Sequence, residues 1–399
     1  MTADTGTAPA GHGLLLAQIP HWDASLDETF HSIHQALLLV HRLTIVISAR
    51  SGEADASEAA RGLQAADGRS GSKLDLVAQA KGTALAPGAT FLNKKSLSST
   101  SLASLASASS TASVFTTFHS VQRVLSALYV SFTKHAMALE RPLAELDIVL
   151  EDSCGYEIGA AAKDEIPFDV FLGVDQAVKM LNELNEKRTE NGAKTLPIIT
   201  LKTAPPSLSS PDSRLVDAID CCVPNTDVEE GQYSDVALGG TFDHLHAGHK
   251  ILLSMTAWVT SHRIVCGVSD EELLSTKKFK DFLEPLDKRV KAVEKFLRVF
   301  KRSLVCEAVP LHDIYGPTIT DKQLQALMVS KETIKGGAAV NQERLNRHLP
   351  PLKIEVINVI SPTETEVDEV SLKISSTFIR QYLSELAASK VSMATGTAS

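Results

Sequence analysis

The chain has 399 residues, 44% hydrophobic and 22% charged, with 39 Lys and Arg against 48 Asp and Glu for a net charge of −9. The length exceeds what one ordinary core needs, so two globular domains are expected and wholesale disorder is excluded. The acidic balance excludes a surface built to hold nucleic-acid backbone, but not small anions held by local positive groups.

In chain order, residues 43–47 (LTIVI) and 146–150 (LDIVL) are short β-branched runs bounded by polar residues, as buried strands are. Residues 114–139 have helical apolar spacing. Residues 96–113 consist almost wholly of Ser, Ala, Thr and Leu, with nothing large to bury, so about 51–113 is expected to be a disordered insertion. A helix over 168–184 and a strand over 196–201 complete an α/β domain at 1–226 that carries no recognisable chemical motif. The Pro- and Ser-bearing stretch 204–211 and the acidic stretch 227–235 mark a linker.

A sharper pattern follows. Strands are predicted over 235–239, 263–268, 304–309, 326–329 and 354–359, and helices over 248–260 and 286–300, with a C-terminal amphipathic run ending near Leu386 and a flexible tail at 387–399. Strands alternating with helices and lying in unbroken apolar runs imply a Rossmann-like, doubly wound parallel sheet over 233–386. Ligands of such a sheet sit beyond the strand carboxyl ends, near the switch point.

Two constellations fall there. Gly239-Gly240-Thr241-Phe242-Asp243-His244-Leu245-His246-Ala247-Gly248-His249-Lys250 leaves the first strand of this half and enters a helix. With 13 His and 22 Gly in the chain, chance supplies an HxGH only ~0.02 times. The glycines let backbone approach a ligand, and the helix start offers free N–H groups and positive dipole to phosphate. His246 and His249, three apart, share one face of the first turn and can reach the same oligophosphate. The second constellation, residues 373–380 (KISSTFIR), places Ser375, Ser376 and Thr377 at another helix start, with Arg380 returning to their face as a second phosphate grip. Lys277 or Lys278 is a candidate cation over the switch point, and Arg289 a weaker one. Residues 313–318 read as a Gly-Pro turn, and 330–337, ending in a glycine pair, as a nucleoside-contacting loop or a surface turn.

With its YGPT, SKET and GG segments, this set resembles phosphopantetheine adenylyltransferase of the eukaryotic type, within the HxGH nucleotidyltransferase superfamily. The resemblance covers about residues 233–386. It implies transfer of AMP from ATP to 4′-phosphopantetheine, giving dephospho-CoA and pyrophosphate, with Mg²⁺ on the ATP and no metal site in the protein itself. It further implies that Thr241 positions the acceptor phosphate, that His246 and His249 bind the ATP phosphates, and that Lys277 or Lys278 holds the incoming phosphate. Gly239, Gly240, Phe242, Asp243 and Gly248 would complete the ATP site, where Ser375, Ser376, Thr377 and Arg380 grip the β and γ phosphates. Arg289, Glu332 and Thr333 are weaker substrate-binding candidates. Bacterial members carry a Gly-Leu-Arg triplet after the fourth strand, a place that here reads Val329-Ser330-Lys331-Glu332-Thr333.

Five cysteines without a CxxC pair point to a reducing compartment, the cytoplasm, with the nucleus also open; Cys221 and Cys222 read as small apolar residues. Residues 36–48, the longest apolar stretch, fall short of the ~20 that span a bilayer. Residues 1–13 lack the basic start of a signal peptide and the arginines of a mitochondrial presequence, so neither is expected. No Gly-x-x-x-x-Gly-Lys-Ser/Thr loop occurs and only 19 residues follow Arg380, so no dephospho-CoA kinase activity is expected. The alternatives are another HxGH enzyme of cytidylyltransferase type, an aminoacyl-tRNA synthetase without its KMSKS loop, and a non-catalytic scaffold with a degenerate transferase domain. Protein partners are not specified by any motif.

Overall fold

The first half builds a five-stranded parallel sheet from β1 (Ala10–Ile19), β2 (Val40–Ala49), β3 (Glu145–Leu150), β4 (Val170–Val174) and β5 (Ile198–Leu201), in spatial order β3-β2-β1-β4-β5. This computed structural model describes residues 10–19, 26–49, 117–151, 167–203, 228–357 and 375–396. The expected insertion at 51–113, most of the linker, Cys154, Cys221, Cys222, Lys373 and Ile374 lie outside the described residues. Three helices cover the sheet: α1 (Asp27–Leu39), α2 (Phe118–Ala138) and α3 (Asp175–Glu190). Leu14, Leu15 and Leu16 are buried in succession because the central strand has helices on both faces, which also explains its unbroken apolar run.

One expected element is corrected. The helix predicted over 168–184 is a strand, β4, followed by a helix that opens at Asp175. Val170, Phe171 and Leu172 are all buried, and a five-residue strand buried on both faces has the same unbroken apolar signature as a helix segment. β1 and α1 add to the elements that the sequence pattern predicts.

The second half repeats the architecture with β6 (Tyr233–Gly240), β7 (Thr260–Ser269), β8 (Val305–Leu311), β9 (Ala326–Ser330) and β10 (Lys353–Ile357), all parallel, in the order β10-β9-β6-β7-β8. Its helices are α4 (Ala247–Val259), the single turn α5 (Glu271–Leu274), α6 (Leu286–Phe300), α7 (Ile334–Asn346) and α8 (Ser376–Gly396). Helix α6 has the predicted limits: Pro285 precedes it, and Val293, Phe296, Leu297 and Phe300 form the buried stripe. Two expectations are revised. Gly336 and Gly337 lie in the first turn of α7, not in a loop, where Gly337 brings the helix close to Ile354 and Val329. Helix α8 continues to Gly396, ten residues past its expected end, through the helix-favouring Ala387, Ala388 and Lys390.

The two halves share one apolar core. Every residue of α4 from Lys250 to Val259 is buried, since its inner face lies on the second sheet and its outer face meets α2, where the Phe118 and Trp258 rings stand 6.1 Å apart, edge to face.

Candidate functional site

The site forms where β6, flanked by β7 and β9, delivers its carboxyl end to the switch point of the second sheet. Between β6 and α4 the chain turns through left-handed backbone at Phe242 (φ 48°) and His244 (φ 45°), conformations that residues with a Cβ adopt only when their surroundings compel it. The compulsion is visible. The Phe242 ring is fully buried, and a Cβ on Gly240 would lie 3.1 Å from it, so the glycine makes room for the ring that locks the loop. The backbone N–H of His244 donates to Glu284 Oε2 at 2.8 Å, and its Nε2 lies 2.8 Å from the Phe282 carbonyl.

His246 is the N-cap of α4 and His249 lies in its first turn. Their rings stack with centroids 3.9 Å apart, and Phe242 backs His249 at 5.2 Å. Nδ1 of each imidazole is buried without a hydrogen-bond partner in the protein. Burial, reinforced by the charges of His244 and Lys250, pulls the His246 pKa down to about 4. Burial and the neighbouring His246 push that of His249 well below its ordinary value. Two neutral imidazoles therefore sit at the positive end of a helix with unspent hydrogen-bonding capacity, an arrangement suited to a polyphosphate.

Arg380, expected as a phosphate grip, is paired within the protein in this ligand-free structure. Its guanidinium is buried and fully committed: Nη1 pairs with the equally buried Asp243 carboxylate, Nε donates to the Lys278 carbonyl at 3.0 Å and Nη2 to Thr377 Oγ1 at 3.2 Å. Arg380 and Asp243 are thus a staple joining the loops after β6 and β7 to the start of α8. Ser376 strengthens the staple by donating to the Asp243 carbonyl at 2.8 Å, and Ser375 Oγ caps α8 by accepting the Phe378 N–H at 3.3 Å. Thr377 is exposed beside them.

Arg289, the weaker substrate-binding candidate, is likewise held by partners within the protein. Buried, it donates to the carbonyls of Thr241 (2.8 Å), Ser269 (2.7 Å) and Glu284 (2.9 Å), tying the ends of β6 and β7 to the start of α6. Lys277 and Lys278 are solvent-exposed on the turn after α5. Glu332 and Thr333 are exposed before α7, and the Thr333 hydroxyl closes a capping box with Ser330. Gly239 and Gly240 end β6, Thr241 follows them into the loop, and Gly248 lies in the first turn of α4.

Sequence reasoning missed Lys250 and Asp147. Lys250 Nζ reaches out of the second half to Asp147 Oδ1 (2.8 Å) and the Leu146 carbonyl (2.7 Å) on β3, while Arg42 Nη2 holds the other carboxylate oxygen at 2.7 Å. Burial alone would push the Asp147 carboxyl up, but Lys250 and Arg42 outweigh it and hold the group far below the usual carboxylate range. A cavity of about 450 Å³ opens beside this bridge, with His246, Lys250, Glu284 and Lys288 among its walls. Among the described residues no three His, Cys, Asp or Glu side chains converge as metal ligands. No described helix is long and apolar enough to cross a membrane.

A family model described as cytidylyltransferase-like matches residues 237–382. An uncharacterized protein of Schizosaccharomyces pombe is 48% identical over 153 residues, covering 38% of this chain and 48% of its own length. Phosphopantetheine adenylyltransferase of Saccharomyces cerevisiae is 43% identical over 155 residues, 39% of this chain and 50% of that protein. The phosphopantetheine adenylyltransferase of Methanopyrus kandleri is 37% identical over 154 residues, 39% of this chain and 93% of that protein. The chain thus spans about half the length of the first two relatives and nearly all of the third. Through its second half, the chain belongs to the phosphopantetheine adenylyltransferase family.

Proposed function

We propose that the protein transfers AMP from ATP to 4′-phosphopantetheine, yielding dephospho-CoA and pyrophosphate. The observation that carries this reading is the stacked His246–His249 pair at the start of α4, with both Nδ1 atoms buried and unpartnered. The names of the relatives supply the acceptor. An oxygen of the acceptor phosphate attacks the α-phosphorus of ATP, the bond from that phosphorus to the bridging β-phosphate oxygen breaks, and pyrophosphate leaves. The acceptor phosphate is already a nucleophile at neutral pH, so neither a general base nor a covalent intermediate is required. The protein's part is to align two anions and to stabilise the charge developing on the α-phosphoryl group. His246, His249 and the N–H groups of α4 hold the ATP phosphates, Thr241 orients the acceptor phosphate, and Lys277 or Lys278 folds over it. Ser375 and Thr377 border the outer phosphates. Mg²⁺ arrives as the counter-ion of ATP. ATP and the acceptor are the partners of this reading, with no nucleic acid, and the cytoplasm is its compartment.

Pyrophosphate release from ATP, measured against a panel of phosphorylated acceptors, tests the proposal: phosphopantetheine alone should support turnover. The cytidylyltransferase-like match favours one rival, a CTP-dependent enzyme acting on a phosphorylated alcohol. Turnover with CTP and a phosphoalcohol, without turnover of ATP and phosphopantetheine, would establish that rival.

A further inference from the structure

The two halves are copies of one design. Numbered from its own first strand, each sheet has the order 3-2-1-4-5, and the elements correspond in turn. Helices α1 and α4 are both 13 residues long, and each runs without a loop into a 10-residue strand. Residues 27 and 247, and 40 and 260, are 220 positions apart, whereas β4 and β9 begin 156 apart at Val170 and Ala326. The drop of 64 is about the length of the segment 51–113, an insertion in the first copy alone.

Side chains keep the same spacing of 156. Asn185 exchanges two hydrogen bonds with the Leu196 backbone, both 2.9 Å, and Asn341 exchanges the same two with Leu352 at 2.9 and 2.7 Å. Buried Arg188 donates through Nε to the Lys194 carbonyl at 2.8 Å, as buried Arg344 does to Pro350 at 2.7 Å.

The first copy has lost the phosphate-binding chemistry. Leu26-Asp27-Glu28-Thr29 stands where the second copy has His246-Ala247-Gly248-His249, so two carboxylates occupy the helix start that would face a phosphate. In its crevice between β1 and β4, Glu28, Thr29 and Ser32 line a cavity of about 30 Å³. What this copy does carry is the contact made by its third strand. Lys250, the residue after His249, is buried with its ammonium on Asp147 and the Leu146 carbonyl, while α2 covers the rest of α4.

We propose that the first half is a non-catalytic copy of the transferase fold that braces the catalytic helix, and that Asp147 is its positioning residue, fixing through Lys250 the turn that carries His246 and His249. Resting on the reading that this turn binds ATP phosphates, the proposal implies that Asp147 acts at a distance on alignment, where small displacements are costly.

The test uses the full chain with Asp147→Ala and Asp147→Asn. Amide hydrogen exchange over residues 250–253 of the ligand-free protein, the first hydrogen-bonded amides of α4, should accelerate at least tenfold in Asp147→Ala, with less change in β9 and β10. At a temperature well below unfolding, kcat for pyrophosphate release should fall on the order of ten- to a hundredfold. Lys250→Met should cause a similar loss, and the Asp147→Ala/Lys250→Met double variant no more than either single one. Unchanged exchange at 250–253, or additive losses, overturns the proposal. A protein in which Asp147→Ala lowers thermal stability while kcat and KM stay within twofold also overturns it, because that is a structural role alone. If the wild type proves inactive on ATP and phosphopantetheine, the functional reading fails while the exchange measurement still decides the brace. Asp147→Asn, which keeps the shape of the side chain, serves if Asp147→Ala does not fold.

Discussion

Arg380→Ala distinguishes a phosphate ligand from a structural staple. In the folded protein both Arg380 and Asp243 are buried, with relative exposures of 1% and 0%. Removing the guanidinium leaves the Asp243 carboxylate desolvated and without its counter-charge, a change that costs about 3–5 kcal/mol for a buried pair. The Lys278 carbonyl also loses its donor, adding about 1 kcal/mol. At ~2–4 °C per kcal/mol for a domain of this class, Tm of the ligand-free protein should fall by roughly 8–24 °C. Arg380→Ala/Asp243→Asn should recover a large part of that loss, because the unpaired charge is gone, and a double-mutant cycle reports the coupling. The assay is thermal and urea unfolding without nucleotide, alongside ATP titration at a temperature where the variant is folded. A Tm within about 2 °C of wild type together with a tenfold or greater loss of ATP affinity would refute the staple and restore the phosphate grip.

His249→Ala should lower turnover about a hundredfold or more, as loss of one preorganised transition-state donor does, with unfolding still cooperative; near-normal kcat in the folded variant would sink the proposed role. Gly240→Ala drives a Cβ to 3.1 Å from the Phe242 ring, which its left-handed backbone keeps from moving, so urea unfolding should show about 1–3 kcal/mol of destabilisation, and none if the loop can adapt. Stability should fall as pH drops from 6.5 toward 4. His12, bonded to Pro167 and Thr44, is pulled from 6.5 to about 4 chiefly by burial and then by Arg42, and His246 and His249 shift the same way. Over that window the unfolded chain takes up protons that the folded one does not, which costs ~1.4 kcal/mol per pH unit for each such group. A urea midpoint that stays level between pH 7 and 5 would contradict it. Deleting residues 55–110, a segment with little to bury, should leave activity and Tm close to wild type; a loss of many degrees would show otherwise.

The parallel α/β design of the second half, a helix opening within the HxGH segment and the limits of α6 were legible in the sequence alone. Each rests on local signals: apolar period, glycines before a helix, a proline at its entrance. The chemistry of an HxGH at a strand end is likewise contained in a few consecutive residues. The short buried strand β4 was not legible, because both faces of it are covered and nothing in its pattern distinguishes strand from helix. Nor was the internal repeat, since its surviving marks are single residues such as Asn185 and Asn341 embedded in unlike surroundings. Charged side chains were read least well. Arg380 and Arg289 lie beside motifs and look like ligand cations, and Lys250 merely ends the HxGH segment, yet in the ligand-free protein each is on a partner supplied by another segment: Asp243, the carbonyls of Thr241 and Ser269, and Asp147. A buried charge must be paired, but which groups share its desolvated space depends on the packing of distant elements, and only the tertiary structure decides that.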